Sequence, residues 1–344
     1  MRIRPFLLIA LLCSASLLPN DTEAQDLGEL VDGVGRSYAE LYMQPLADGL
    51  GADLNSGLFH TARIGGGLLP LVDLYVGAKV MGALVTDADK TFDLSYRTEQ
   101  VFRASDGRRY TVPVTFEIAN GPTVFGRREP GTATVSINET VSNGPDGVRG
   151  TSDDVVIDTT ATFDVLPGLI DTPVAPLIVP QFGFGSIAGT DLVVRYLPRI
   201  GHDEFGSIGL IGVGVRHSIS QYLPLLPVNV TGQFMWQKLS IENQADDEIF
   251  SASAWAANIA ASRRLLILTV YGGLQMEGSS VDIDYTFEPE DPDLPSQSVA
   301  FDLTGDNTFR VLGGIALGLG PIVINADAAV GQRSVFSAGV GLSL

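Results

Sequence analysis

The chain has one cysteine in 344 residues, three histidines, and 21 Lys plus Arg against 40 Asp plus Glu. A single thiol, Cys13, excludes a disulfide-stapled fold. His60, His202 and His217 are too scattered to predict a His-based metal centre. The shortage of cations, with a formal charge of -19, excludes nucleic acid as a partner, because phosphate binding needs a basic surface that releases counterions. Beyond the first twenty residues no run of 18 apolar residues occurs, so no transmembrane helix is expected. Nothing resembles a serine nucleophile elbow, no Ser-His-Asp set can be assembled, and no enzymatic role is expected.

What the chain does have is grease. Hydrophobic residues make up 45% of it, 39 residues are Gly, and the mean hydropathy is +0.23. Such a chain buries enough apolar surface to offset its ordering entropy, which excludes disorder. The start supplies the compartment. Arg2 and Arg4 precede an apolar stretch over 5–18, and Thr22-Glu23-Ala24 offers small residues before Gln25, so 1–24 reads as a cleaved secretory signal. Fourteen apolar residues fall short of the roughly 20 that span a bilayer as a helix. The leader would carry Cys13 away and leave an exported chain held by packing and backbone pairing alone.

The apolar residues of the C-terminal third alternate. Phe336, Ala338, Val340, Leu342 and Leu344 share one face, and Ser337, Gly339, Gly341 and Ser343 the other. Ile322, Ile324, Ala326, Ala328 and Val330 repeat the pattern against Asn325 and Asp327, as do Phe309, Val311, Ile315, Leu317 and Leu319 against Arg310. Period two in consecutive segments joined by a few residues predicts long antiparallel strands in a meander. Earlier segments follow: Val228, Val230, Phe234 and Trp236 against Asn229, Thr231, Gln233 and Gln237, and Leu192, Val194 and Tyr196 against Asp191 and Arg195.

In a soluble sandwich the polar face would look outward; in a transmembrane barrel it would line the lumen. Strands of about 9–11 residues suit a tilted crossing of the hydrocarbon layer. Short connections (Gly320-Pro321 and Ser262-Arg263-Arg264) alternate with long acidic ones (242–248 and 288–297), as periplasmic turns and external loops would. Tyr196, Phe234, Trp236, Trp255, Tyr285, Phe309 and Phe336 are placed near strand ends, where an interfacial girdle wants aromatics. The expectation is therefore an all-β, antiparallel transmembrane β-barrel of about 14 strands in the bacterial outer membrane, covering 57–344. An acidic, loop-rich insert over about 100–178 reads as an external excursion. In 25–56, Leu27, Leu30, Val31, Val34, Tyr38, Leu41 and Tyr42 follow helical spacing and stop before Pro45, which predicts a helix of about four turns, as a lumen plug or a periplasmic cap.

The segments YMQPLADGLGADLNSGLFHTA (42–62), PLIVPQFGFGSIAGTDLVVRYLP (176–198) and GVGVRHSISQYLPLLPV (212–228) carry a resemblance. They resemble an uncharacterised outer-membrane β-barrel family of Bacteroidetes-type bacteria, itself distantly similar to long-chain fatty-acid transporter barrels. The resemblance implies membrane location, a 14-stranded wall, an N-terminal hatch and passage of hydrophobic solutes. The chain departs from it in ending at Leu344, where many such barrels end in an aromatic residue, and in the insert over 100–164.

Asp73, Lys79, Asp191, Arg195, Arg216, Arg310 and Asp327 are charges on the less apolar strand faces and are candidates to line the lumen, as solute contacts or as bracing salt bridges. Asn143, Asp146, Asp153 and Asp154 crowd a Gly-rich turn whose oxygens suit Ca²⁺, though the EF-hand spacing is missing; a solvated turn is the other reading. No other cofactor is expected. The acidic clusters at 246–248 and 288–293 would either recruit cations that bridge to lipopolysaccharide or keep the rim solvated. The expected function is a passive channel for small or hydrophobic solutes. The alternative is a non-transporting structural or surface-interaction barrel whose acidic loops bind Ca²⁺ or a partner. Lipid, lipopolysaccharide and, during biogenesis, the barrel-insertion machinery are the expected partners.

Overall fold

The computed structural model describes residues 24–64, 73–103, 108–143, 147–152, 154–202, 206–223, 225–287 and 297–344. It contains one α-helix, α1 (Ala24–Leu54), and fifteen strands among the described residues. In chain order the strands are β1 (Asp73–Leu84), β2 (Thr91–Arg103), β3 (Arg109–Pro122), β4 (Gly131–Ser142), β5 (Val155–Val165), β6 (Val174–Ile187), β7 (Thr190–His202) and β8 (Gly206–Ser218). They continue as β9 (Asn229–Glu242), β10 (Glu248–Leu265), β11 (Leu268–Phe287), β12 (Gln297–Thr304), β13 (Phe309–Leu319), β14 (Ile322–Val330) and β15 (Val335–Ser343). The chain divides into two compact units: one of residues up to Pro45 with Thr86–Asp171, the other of Leu46–Val85 with Thr172–Leu344.

The larger unit is a closed antiparallel barrel. Its order runs β10-β9-β8-β7-β6-β1-β15-β14-β13-β11, and β10 pairs with β11 to close the ring. β12 adds no position to the ring. β11 pairs with β13 up to Met276↔Phe309 and with β12 from Ser280↔Thr304, while Glu277 N–H donates to Thr308 O and Gly305 N–H to Ser279 O across the gap. β12 and β13 are thus the two halves of one wall strand separated by an irregular step. The wall has ten positions, where the sequence predicts about 14 strands. The excess came from four strands that form a sheet of their own.

All ten positions carry exposed apolar side chains on the outside: Val76 and Val80 on β1, Ile178 and Phe184 on β6, Ile211 and Val213 on β8, Phe234 and Trp236 on β9, Ile315 and Leu317 on β13, Val340 and Leu342 on β15, with equivalents on the others. Alternate residues turn inward, among them Lys79, Gln181, Arg195, Gln237, Gln275, Glu277, Arg310 and Asn325, all buried. This is the inverse of a soluble protein, and it is the polarity of a wall that meets hydrocarbon. Trp236 and Trp255 face each other in register, but Trp236 sits mid-strand in β9 rather than at its end, because the strand is longer than the sequence pattern suggests. Ser262, Arg263 and Arg264 are strand residues of β10; the turn is at Leu266 and Ile267, with Leu266 in a left-handed conformation.

The smaller unit is a four-stranded sheet, β2-β3-β4-β5, with residues of α1 packed in it. Val34, Tyr38 and Tyr42 form the buried stripe of that helix segment. Tyr38 meets Phe92 edge-on at 5.5 Å and accepts a hydrogen bond from Leu166 N–H, and Tyr42 OH donates to Pro167 O at 2.9 Å. Val112, Val114 and Ile137 form a second cluster within the sheet. The helix does not stop before Pro45. It contains that proline and continues to Leu54, so the unfavoured residue falls where one unit hands over to the other.

Candidate functional site

The distinctive chemistry of the barrel is what occupies its lumen. Residues 46–54 of α1 and the irregular stretch 55–62 belong to the barrel unit, and from Gly51 to Phe59 all of them are buried. A helix ends with carbonyls that lack intrahelical partners, and in a closed apolar environment each must find a donor. Here the wall supplies them. Arg310 Nη2 donates to Ala52 O at 3.2 Å, and Arg195 Nη1 to Leu54 O at 2.8 Å, where Gln237 Nε2 also donates. Gln275 Nε2 donates to Asn55 O at 2.8 Å, Arg195 Nη2 to Ser56 O at 2.7 Å, and Lys79 Nζ to Phe59 O at 3.1 Å. Arg216 Nη1 donates to Thr61 O at 3.2 Å, Thr231 Oγ1 to Ala62 O, and Ala62 N–H to Ser262 Oγ at 3.0 Å. Arg195 and Arg310 sit at the negative end of the helix dipole, where a cation is favoured.

Two glycines let the segment fit. A Cβ on Gly51 would lie 2.0 Å from Ser279 Oγ, so the helix lies nearly in contact with β11. Gly57 has φ +63°, the left-handed conformation that turns the chain after the helix. The cavity that remains between 55–59 and Gln275, Arg310, Leu312 and Asp327 is about 10 Å³. That is about the room one water needs and far below that of a solute.

The charges are paired or bonded. Arg310 meets Glu277, Arg216 meets Asp191, and Arg333 meets Asp48 at 2.9 Å. Lys79 Nζ also donates to Asn325 Oδ1 at 2.6 Å, and Asp327 accepts from Tyr271 OH at 2.9 Å and from Ser337 Oγ at 2.6 Å. Asp53 is the exception. It is 1% exposed and neither carboxylate oxygen has a hydrogen-bond partner. His60 stacks on Tyr75 at 4.4 Å.

Of the residues singled out in the sequence, Lys79, Asp191, Arg195, Arg216 and Arg310 are buried inside the barrel and Asp327 is half-buried there. Asp73 differs: it opens β1 opposite Gly185, at the rim. The four oxygen-bearing residues of the Gly-rich turn fare differently. Asp146 and Asp153 lie outside the described residues, Asp154 Oδ2 accepts Gly150 N–H at 2.6 Å, and Asn143 follows β4. Among the described residues no group of three or more acidic, His or Cys side chains is gathered for a metal. The acidic stretch 288–296 also lies outside the described residues. His217 bonds Thr190 Oγ1 at 2.8 Å and Tyr222 OH at 3.0 Å, and His202 is the last residue of β7.

Sequence reading missed residues that do much of the holding: Gln275 and Glu277 in the wall, and the backbone of 52–62. Asn325 and Gln237 stand on the polar faces of their strands in the sequence pattern, but nothing there singles them out as holding residues. Gln275 and Glu277 were obscured by Gly272, Gly273 and Gly278, which break the alternation of β11.

A family model described as a family of unknown function (DUF6588) matches residues 1–344. No curated protein matches. Among solved structures, the β domain of the Bordetella autotransporter Brka is 11% identical, with 80% of this chain and 100% of that chain covered and a TM-score of 0.30. The translocator domain of the autotransporter NalP from Neisseria meningitidis is 13% identical, covering 89% and 96% at a TM-score of 0.26. A BenF-like porin from Pseudomonas fluorescens is 10% identical, covering 80% and 98% at 0.19. TM-scores this low carry no argument, and the barrel stands on its own strand pairing.

Proposed function

The chain belongs to this family of unknown function, and we propose its role from the geometry: an outer-membrane barrel closed by its own chain, which passes small or hydrophobic solutes when residues 46–62 withdraw from the lumen. The exposed apolar residues on every wall position support the membrane location. The closed state is carried by one observation, the set of wall donors spent on the carbonyls of 52–62. An open passive pore would have those donors solvated instead. Nearly all these bonds are polar and run to backbone, so water entering a partly opened lumen can replace them one by one, which an apolar plug would not allow. The kinship to fatty-acid transporter barrels read in the sequence enters only as a reason to include hydrophobic solutes among those tested.

One observation favours a second reading, a non-transporting barrel that presents the 86–171 unit. Most wall donors and charges are satisfied with the segment in place, as in a permanent core. Liposome swelling decides between them. The full chain is expected to be slow, and a variant with 46–62 replaced by a Gly/Ser linker of equal length fast. Equal slowness of a folded variant would reject transport and leave the presenting barrel.

A further inference from the structure

Six successive positions of the wall place a polar side chain at one register position. The pairs are Asp191↔Arg216, Arg216↔Gln233, Gln233↔Asn258, Asn258↔Gln275 and Gln275↔Arg310, from β7 through β8, β9, β10 and β11 to β13. Residues directly opposite in an antiparallel ladder share a face, so all six side chains point into the lumen, where all are buried. Barrel strands are tilted, so a row that follows the hydrogen-bonding direction climbs as it goes round. Asp191 is the second residue of β7, Arg216 the third from the end of β8 and Gln233 the fifth of β9. Asn258 is the eighth from the end of β10, Gln275 the eighth of β11 and Arg310 the tenth from the end of β13. Measured from the rim of the β10–β11 and β13–β14 turns, the row rises through the lumen.

The two ends of the row are engaged. Arg216 pairs with Asp191 and donates to Thr61 O, while Arg310 pairs with Glu277 and donates to Ala52 O. The middle is not. Gln233 is 5% exposed, and neither its Oε1 nor its Nε2 has a partner among the described residues. Asn258 Nδ2 donates to Gln275 Oε1 at 3.1 Å, but its Oδ1 has no partner there either. The same holds for Arg216 Nε, Arg310 Nε and, beyond Arg310, Nδ2 of the buried Asn307. An amide in a dry interior is costly without partners, and Met235, Ala256 and Ala260, two residues away on the same strands, belong to an apolar cluster where a Leu would fit. Opposed Cβ atoms in a sheet stand roughly 5 Å apart, the span of one bridging water, and the 10 Å³ cavity beside Gln275 and Arg310 has about that room. We propose that this row is a track for water: a single file handed along these atoms crosses the closed barrel, while ions and solutes are held back. An ion would have to shed its hydration at Gln233 and Asn258, neutral amides that offer it no opposite charge. The inference rests on the reading of a barrel closed by residues 46–62 and gives that closed state an activity of its own.

The test is osmotic. Proteoliposomes of the full chain are shrunk by a sucrose step in stopped flow, beside empty vesicles of the same lipid and vesicles holding Gln233→Leu/Asn258→Leu. The native protein is expected to shrink vesicles several-fold faster than the bare bilayer does, with a shallower temperature dependence, because water in a file stays hydrogen-bonded and never dissolves in hydrocarbon. The double variant, checked by its barrel band on a gel, is expected to return to the rate of empty vesicles. Where it does not fold, Gln233→Met, close to Gln in size, takes its place. Native vesicles that shrink no faster than empty ones, or a folded variant as fast as the native chain, overturn the track and leave the closed barrel standing. Native vesicles that shrink and then swell again as sucrose enters have an open lumen, and there the closed reading fails and the inference with it.

Discussion

Arg195, fully buried on β7, holds its Nη1 2.8 Å from the carbonyl oxygen of Leu54, the last residue of α1. The same guanidinium reaches Ser56 O, Gln181 Oε1 and Gln237 Oε1. One planar fork on β7 thus ties a helix terminus and the chain beyond it to β6 and, across β8, to β9. Arg195→Met strands several buried acceptors, at about 1–3 kcal/mol each. It is expected to lower the unfolding temperature in detergent markedly, and Arg195→Lys to recover only part of the loss, because an ammonium cannot bridge the same acceptors. Equal melting of all three proteins would contradict this arrangement.

A covalent staple reports the seat of the helix. The Cβ separation of 3.9 Å between positions 49 and 83 lies within disulfide range. The double variant Gly49→Cys/Ala83→Cys, made with Cys13→Ser so that no other thiol is present, is expected to form the disulfide under oxidising conditions, shown by mass spectrometry of the folded protein. Free thiols in a folded, exported barrel would place the helix elsewhere.

In the smaller unit, Tyr42→Phe deletes the hydrogen bond to Pro167 O and leaves the ring stacked on Tyr38 at 5.9 Å. A loss of about 1 kcal/mol is expected. It should appear as faster proteolysis within 86–171 with the barrel band on a gel unchanged.

The alternation of Phe336 to Leu344 and of Ile322 to Val330 made the barrel legible, because strand period and burial agree there residue by residue. The strand count was less legible. Nothing local distinguishes β2–β5, which pair among themselves, from wall strands, and the step at 305–308 divides one wall strand in two. Pro45 was read as a stop because proline removes a helical donor, yet tertiary packing on both sides carries the helix through it. The charged lumen residues stood out by face. What they bind did not, since their partners are backbone carbonyls, which every residue has and no sequence pattern marks.

The central claim, a lumen closed by residues 46–62, is tested most directly by single-channel recording in planar bilayers of the full chain beside Gly51→Val, whose Cβ would meet Ser279 Oγ 2.0 Å away. The native protein is predicted to be silent, and the variant to conduct and to fall silent again when Ser279→Gly is added. Steady conductance by the native chain, or silence of a folded Gly51→Val barrel that still exchanges no solute, would contradict the account.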